Sequence, residues 1–376
     1  MILIIDRMKF RLLRKGYRKM SHRKFQQHIS FLIVLVGCSF GFITNAQINT
    51  ASSSEKELNL YSARHYQTDE LLYSEFTKKT GIKINRIEAS DNALFERLKS
   101  EGNKSPADVI MLVDASRLWK TENEGLFKPI HSKLLEERIP ENLRSKKDNY
   151  GSTWFGLTTR ARMIVYNKSK VKPSDIDTYE KLANPMNKGL VCTRSGSHPY
   201  MLSLIGSMIE LRGEKATEEW ARGMVSNMAR SPKGGDTDQI KSVATGECGV
   251  TLTNSYYLAR LMKSSKPEDQ TMMSNIGFIW PNQQTTGTHI NITGAGVAKN
   301  APHPKAALEF MEYLVSDEAQ KYFANRNNEW AVVKTVEVEN DVLIKLGNFI
   351  TENVPVEAMA KNQKLAQKIL DKVGYR

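Results

Sequence analysis

The 376-residue sequence lacks the short motifs of several large enzyme classes. It has no His-Glu-x-x-His and no Cys-x-x-Cys, and its one Gly-x-Ser-x-Gly, Gly37 to Gly41, lies inside the N-terminal apolar stretch, so nucleophile elbows, helical zinc-protease sites and dithiol redox pairs are not indicated. Ser195-Gly196-Ser197 has no catalytic context, and Lys233-Gly234-Gly235-Asp236 reads as a turn because no strand leads into it in the way a phosphate loop requires. No enzymatic activity is expected. There is no low-complexity tract in the body and no internal repeat at a period of roughly 20–50 residues. Excess charge is also missing from most of the chain. The formal net charge is +13, but residues 1–46 hold nine Lys/Arg against one acid, Asp6, which leaves 45 bases and 40 acids elsewhere. That argues against a dedicated nucleic-acid binder. With 40% hydrophobic and 25% charged residues the composition is that of an ordinary globular chain, and its length calls for two domains or two lobes.

A long apolar run is missing as well. Basic residues from Arg7 to Lys24 precede an apolar stretch, Ile29 to Ile43, that is shorter than the ~20 residues of a spanning helix. Thr44-Asn45-Ala46-Gln47 follows, and the whole reads as a secretory signal peptide, residues 1–46, cleaved after Ala46. Residues 47–56 are a polar spacer. The alternatives are an uncleaved anchor or a lipid-bearing Cys38 in Leu35-Val36-Gly37-Cys38. Either way the protein is exported. Of three cysteines, only Cys192 and Cys248 then remain. An even pair in an oxidising compartment is a candidate disulfide, the alternative being two buried thiols.

From Glu57 onward strands and helices alternate. Leu58–Ala63, Ile82–Ile87 and Asp108–Val113 read as strands, with helices at 69–80, 92–101 and 115–124 between and after them. A second series follows: an extended stretch Phe155–Asn167, strands Gly189–Thr193, Gly249–Thr253 and Ile276–Trp280, helices at 199–212, 214–229, 237–245 and 256–263, and a long helix over 304–325. Such alternation implies α/β architecture with two mostly parallel sheets flanked by helices, in two lobes around a cleft with a hinge. The expected division is 57–157 for the first lobe, 158–280 for the second, 281–330 for a return to the first, and 331–376 for C-terminal helices packed back on the second.

Ligands in open α/β sheets bind beyond the carboxyl ends of strands. Those positions here hold Arg64-His65-Tyr66, then Ser195 to Tyr200, then Asn254-Ser255-Tyr256-Tyr257. Tyr256 and Tyr257 cannot both point into one core, because helical neighbours lie about 100° apart. Phenols suit two kinds of ligand. As phenolates they are hard anionic donors for a strongly acidic cation such as iron(III), able to displace a proton whose free pKa is near 10. As aromatic walls they stack on an organic solute. The residues alone leave both open.

Tyr61-Ser62-Ala63-Arg64-His65-Tyr66, Pro106-Ala107-Asp108-Val109-Ile110, Asn254-Ser255-Tyr256-Tyr257-Leu258-Ala259-Arg260 and the late helix Ala307-Leu308-Glu309-Phe310-Met311-Glu312-Tyr313-Leu314 resemble the periplasmic ferric-iron-binding proteins of ABC transporters. The likeness is to the FutA/FbpA type, nearest the cyanobacterial branch, and covers about Glu57 to Arg376. It implies a type II periplasmic-binding-protein fold that captures iron(III), with no organic cofactor, as a monomer that delivers it to an inner-membrane ABC permease. It further implies Tyr256 and Tyr257 as paired ligands, Tyr200 as a third, Tyr66 from the first lobe, and His65 as an optional one. Where many relatives carry a glutamate ligand this chain reads Met111-Leu112-Val113-Asp114, so an all-tyrosine set is expected. Arg160, Arg162 and Arg260 are expected to offset phenolate charge. His198, His289 and His303 are read as structural. The alternative function is binding of an organic or anionic solute between tyrosine walls.

Overall fold

Glu57–Ser62 (β1) lies between Lys83–Glu88 (β2) and Val109–Leu112 (β3), both parallel to it. The four residues of β3 are all buried, as an apolar run must be when both faces of a sheet are covered. Helices Asp69–Thr80, Asp91–Glu101 and Ala115–Asn123 cross between and beyond these strands. Their ends are written locally: Gly81, at φ 73°, ends the first helix, Ser90 accepts from the Ala93 N–H at the start of the second, and Asp114 accepts from the Ser116 N–H at the start of the third. The computed structural model describes residues 56–64, 68–146 and 148–376. The signal segment, Cys38, most of the spacer, His65 and Tyr66 therefore lie outside the described residues.

One strand joins the two lobes. Phe155–Asn167 (β4) pairs antiparallel with Ile290–Val297 (β8) over Phe155–Ala161, then with Val250–Asn254 (β6) over Arg162–Tyr166 and with Ile276–Ile279 (β7). Val191–Cys192 (β5) lies parallel to β6, and Trp330–Ala331 (β9) joins β4 at Thr158–Thr159. The resulting order is β2-β1-β3-β8-β4-β6-β5. The two expected sheets share β4 and so form one continuous order, but their pairings are mixed and not mostly parallel. The chain leaves the second lobe along the strand by which it entered, and a return is antiparallel.

Three buried clusters fill the unit. Leu58, Leu60, Phe76, Ile110, Phe155, Ile292 and Phe310 belong to the first-lobe core. In the second lobe, Ile164, Ile205, Trp220, Leu252 and Leu370 cover one side of the ladder, and Met163, Val165, Ile240, Leu258 and Leu343 cover the other. Residues from 331–376 contribute to all three clusters. Val332, Val333, Val336, Val356 and Met359 enter the first core, while Leu343, Leu346, Ile369 and Leu370 enter the second.

Several element ends differ from expectation for visible reasons. Helix Pro199–Ser226 breaks at Gly213 as expected, at a φ of 80° that only glycine adopts cheaply, but its second part stops at Ser226, short of residue 229. The single late helix is two, Pro304–Leu314 and Asp317–Asn327, because Ser316 turns out of the helix and caps the next one through the Ala319 N–H. Short helices Lys133–Arg138 and Pro267–Ser274 were not anticipated. Cys192 and Cys248 are joined in a disulfide, their Cα atoms 5.8 Å apart.

Candidate functional site

The second-lobe face of the cleft is built from two helix starts beside β4. β6 ends at Asn254 and helix Ser255–Met262 begins at once, which carries Tyr256 and Tyr257 to the strand end. Asn254 is fixed at both its backbone and its side chain. Its N–H donates to Asp236 Oδ2 at 2.8 Å, and its Oδ1 accepts from Arg162 Nη1 at 3.1 Å. The second helix start is Pro199. His198 caps it, its Nδ1 accepting from the Tyr200 N–H at 3.2 Å. Burial, with the Arg194 and Arg162 charges, pushes the His198 pKa down to about 3. The ring therefore stays neutral and keeps the lone pair that caps.

These two starts converge. The hydroxyls of Tyr200 and Tyr256 stand 3.0 Å apart although the residues are 56 positions apart in sequence. Tyr256 and Tyr257 have ring centroids 4.3 Å apart. Tyr256 is buried, while Tyr200 and Tyr257 are half-buried. Arginines surround them. Arg160 and Arg194 lie 5.4 and 4.9 Å from the Tyr200 ring centre, and exposed Arg260 lies 5.9 and 5.8 Å from the rings of Tyr256 and Tyr257. Burial of Arg160 opposes its charge, but the Tyr200 and Tyr256 oxygens, Asp114 and Glu329 outweigh that and raise its pKa. Arg160, Arg162, Tyr200, Asn254, His289 and Asn291 line a crevice too narrow to admit a water-sized sphere.

Tyr200, Tyr256, Tyr257, Arg160 and Arg260 are thus brought together, whereas His65 and Tyr66 lie outside the described residues. Arg162 borders the crevice, but its charge is met by Asp236 at 2.5 Å. Arg194 and Asp236 were missed by the sequence reading. Asp236 pairs with Arg194 at 3.0 Å as well as with Arg162, and burial of its carboxyl is outweighed by both cations, which hold its pKa low. Arg194 directly follows the expected strand Gly189–Thr193, so the strand-end rule could have found it. Asp236 lay hidden in what reads as a turn.

The other histidines are held by carboxylates: His289 by Glu352, and His303 by Asp108 at 2.9 Å. Asp114, at the position where a carboxylate ligand was doubted, is fully engaged. Its oxygens accept from the Ser116 N–H, Ser116 Oγ, Ser203 Oγ and Asn291 Nδ2. Among the described residues no three His, Cys, Asp or Glu side chains are placed to hold a metal ion, so the convergent hard donors here are phenols. A roomier cleft of about 680 Å³ beside Trp119, Trp154 and Pro355 lacks such convergence. Among its polar groups, Trp154 Nε1 donates to Glu122 and Lys146 pairs with Glu357.

Comparison with known proteins gives a consistent picture. A model of the bacterial extracellular solute-binding proteins matches residues 72–345. The chain is 43% identical over 363 residues to Iron uptake protein A1 of Synechocystis sp., covering 96% of this chain and 99% of that one. Among solved structures it resembles the Trichodesmium IdiA (FutA) protein in complex with iron and citrate ligands, with a TM-score of 0.80 and 51% identity over 85% of this chain and 100% of that one. The ferric binding protein from Campylobacter jejuni superposes with a TM-score of 0.79 at 41% identity, over 85% of this chain and 100% of that one.

Proposed function

The chain belongs to the family of bacterial extracellular solute-binding proteins, and we propose that it captures iron(III) in the cleft between its lobes and delivers it to an ABC permease. The observation that carries this is the meeting of Tyr200 and Tyr256 hydroxyls at 3.0 Å beside Tyr257. Two phenols in hydrogen-bonding contact, flanked by arginines, form a donor set that trades protons for a trivalent cation. The relatives named for iron uptake and ferric binding point to the same cargo.

Tyr200, Tyr256 and Tyr257 act as ligands from the second lobe. Tyr66 and, optionally, His65 complete the set from the first. The lobe division proposed places the crossing within β4, where pairing passes from β8 to β6. The protein works in the periplasm as a monomer, exported by residues 1–46 and cleaved after Ala46, with an uncleaved anchor or a lipid on Cys38 as the alternatives.

Titration of the purified mature protein with iron(III) under visible spectroscopy tests this. Phenolate-to-iron charge transfer gives a coloured band that saturates at one iron per chain. A colourless mixture with no saturable band would leave the tyrosines as walls for an organic solute.

A further inference from the structure

The turn from β3 into helix Ala115–Asn123 belongs to the first lobe, yet three second-lobe or hinge side chains bond to it in succession. Arg160 on the lobe-joining strand donates to the Val113 carbonyl. Ser203 donates to the two carboxylate oxygens of Asp114, at 3.2 and 3.0 Å. Gln363 donates to Ser116 Oγ, and Ser116 in turn bonds Asp114. Asp114 also accepts from Asn291 at 2.9 Å, which ties it to β8. Asp114 and Ser203 are both buried, at 1% and 0% exposure. A serine hydroxyl on a buried carboxylate is a charge-assisted bond, roughly twice as strong as a neutral one.

We propose that Asp114 and Ser203 form a latch between the lobes, a positioning pair that sets how long the cleft stays closed without touching the cargo. Ser203 stands one helical turn after Tyr200, on the same helix face. Its neighbours Met201, Leu202, Leu204 and Ile205 are packed in the second core, so Ser203 moves with that lobe. Asp114 follows directly on buried β3 and moves with the first. Opening the cleft separates a buried carboxylate from its donor, and that cost slows opening. The latch also explains why Asp114 is no metal ligand: its lone pairs are committed to holding Tyr200's helix in place. The coupling to iron release rests on the iron-capture reading, whereas the latch itself does not.

The test uses the mature chain with spin labels on Lys78→Cys and Lys188→Cys. Lys78 has a 78% exposed side chain on the first lobe and Lys188 is exposed on the second, and the native cysteines are bonded to each other and do not label. Ser203→Ala is expected to shift the ligand-free distance distribution toward the open form and to speed iron(III) release to a competing chelator about tenfold. Asp114→Asn keeps the side-chain shape, removes the charge and should give the same shift. Combining the two should add little, because both break one contact. Unchanged distances in both variants would overturn the latch, as would a loss of thermal stability with distances unaltered. If the parent itself never binds iron, the function proposed above fails, and the distance measurement still decides the latch.

Discussion

Arg160 and Arg162 stand two residues apart on β4, hence on the same side of the strand, and both are buried. Their surroundings differ completely. Arg162 meets Asp236 at 2.5 Å and Asn254 at 3.1 Å, a closed arrangement in which the charge is spent on structure. Arg160 has no ion-paired carboxylate among the described residues. Its Nη2 donates to a carbonyl and its guanidinium lies beside the Tyr200 ring, and the Tyr200 and Tyr256 oxygens come before Asp114 and Glu329 among the groups that favour its charge. The same residue type thus serves as scaffold at one position and as counter-charge at the other. What separates the roles is the presence of a partner brought in from elsewhere in the chain.

The largest effect should come from the scaffold arginine. Arg162→Met leaves Asp236 buried with Arg194 as its remaining ionic partner, and unfolding in urea should show a loss of about 3 kcal/mol, the low end for breaking a buried pair. The sign with pH follows from the depressed carboxyl of Asp236. Its stabilisation is complete above the unfolded carboxylate range, about pH 4, and disappears as acid protonates the folded form. The parent should therefore lose more stability than the variant on going to acid. Equal losses would show that the pair does not act as described.

Arg160→Met should do the opposite. Removing a buried cation without a carboxylate partner leaves apo stability within about 1 kcal/mol, while iron(III) affinity falls roughly tenfold, since a nearby cation favours the phenolate form by about one pKa unit. Competition against a chelator together with a urea curve separates the two outcomes. A variant that unfolds easily yet binds normally would erase the contrast with Arg162. The smallest effect belongs to exposed Arg260. Arg260→Gln should weaken iron binding by about threefold or less at low ionic strength and less still at 0.5 M salt, as screening requires for an exposed charge.

The alternation of strands and helices was legible because each element carries its own period and end signals, as Gly81 and Pro199 illustrate. The distribution of residues 331–376 among the buried clusters was not legible. Val333 and Leu343 look alike in sequence, and only tertiary packing assigns them to different cores. The antiparallel return along β4 was hidden for the same reason, since register across the hinge is a long-range property. At the site, the tyrosine doublet announced itself by position at a strand end, whereas its contact with Tyr200 spans 56 residues. The two arginines could not be told apart, because Asp236 lies 74 positions beyond Arg162. Nor could Asp114 be seen as the partner of Ser203, which is 89 positions away.

The central claim is that the phenol oxygens of the doublet bind iron(III). Its most direct test is equilibrium competition for iron(III) between a chelator and either the parent or the Tyr256→Phe, Tyr257→Phe double variant, followed at the visible band. Phenylalanine keeps the rings and removes both oxygens. If those oxygens are ligands, the double variant folds as the parent does, shows no band and takes no iron from the chelator. If the rings are only walls, the loss is limited to hydrogen bonds worth about 1 kcal/mol each, and a coloured variant that competes as well as the parent would contradict the account.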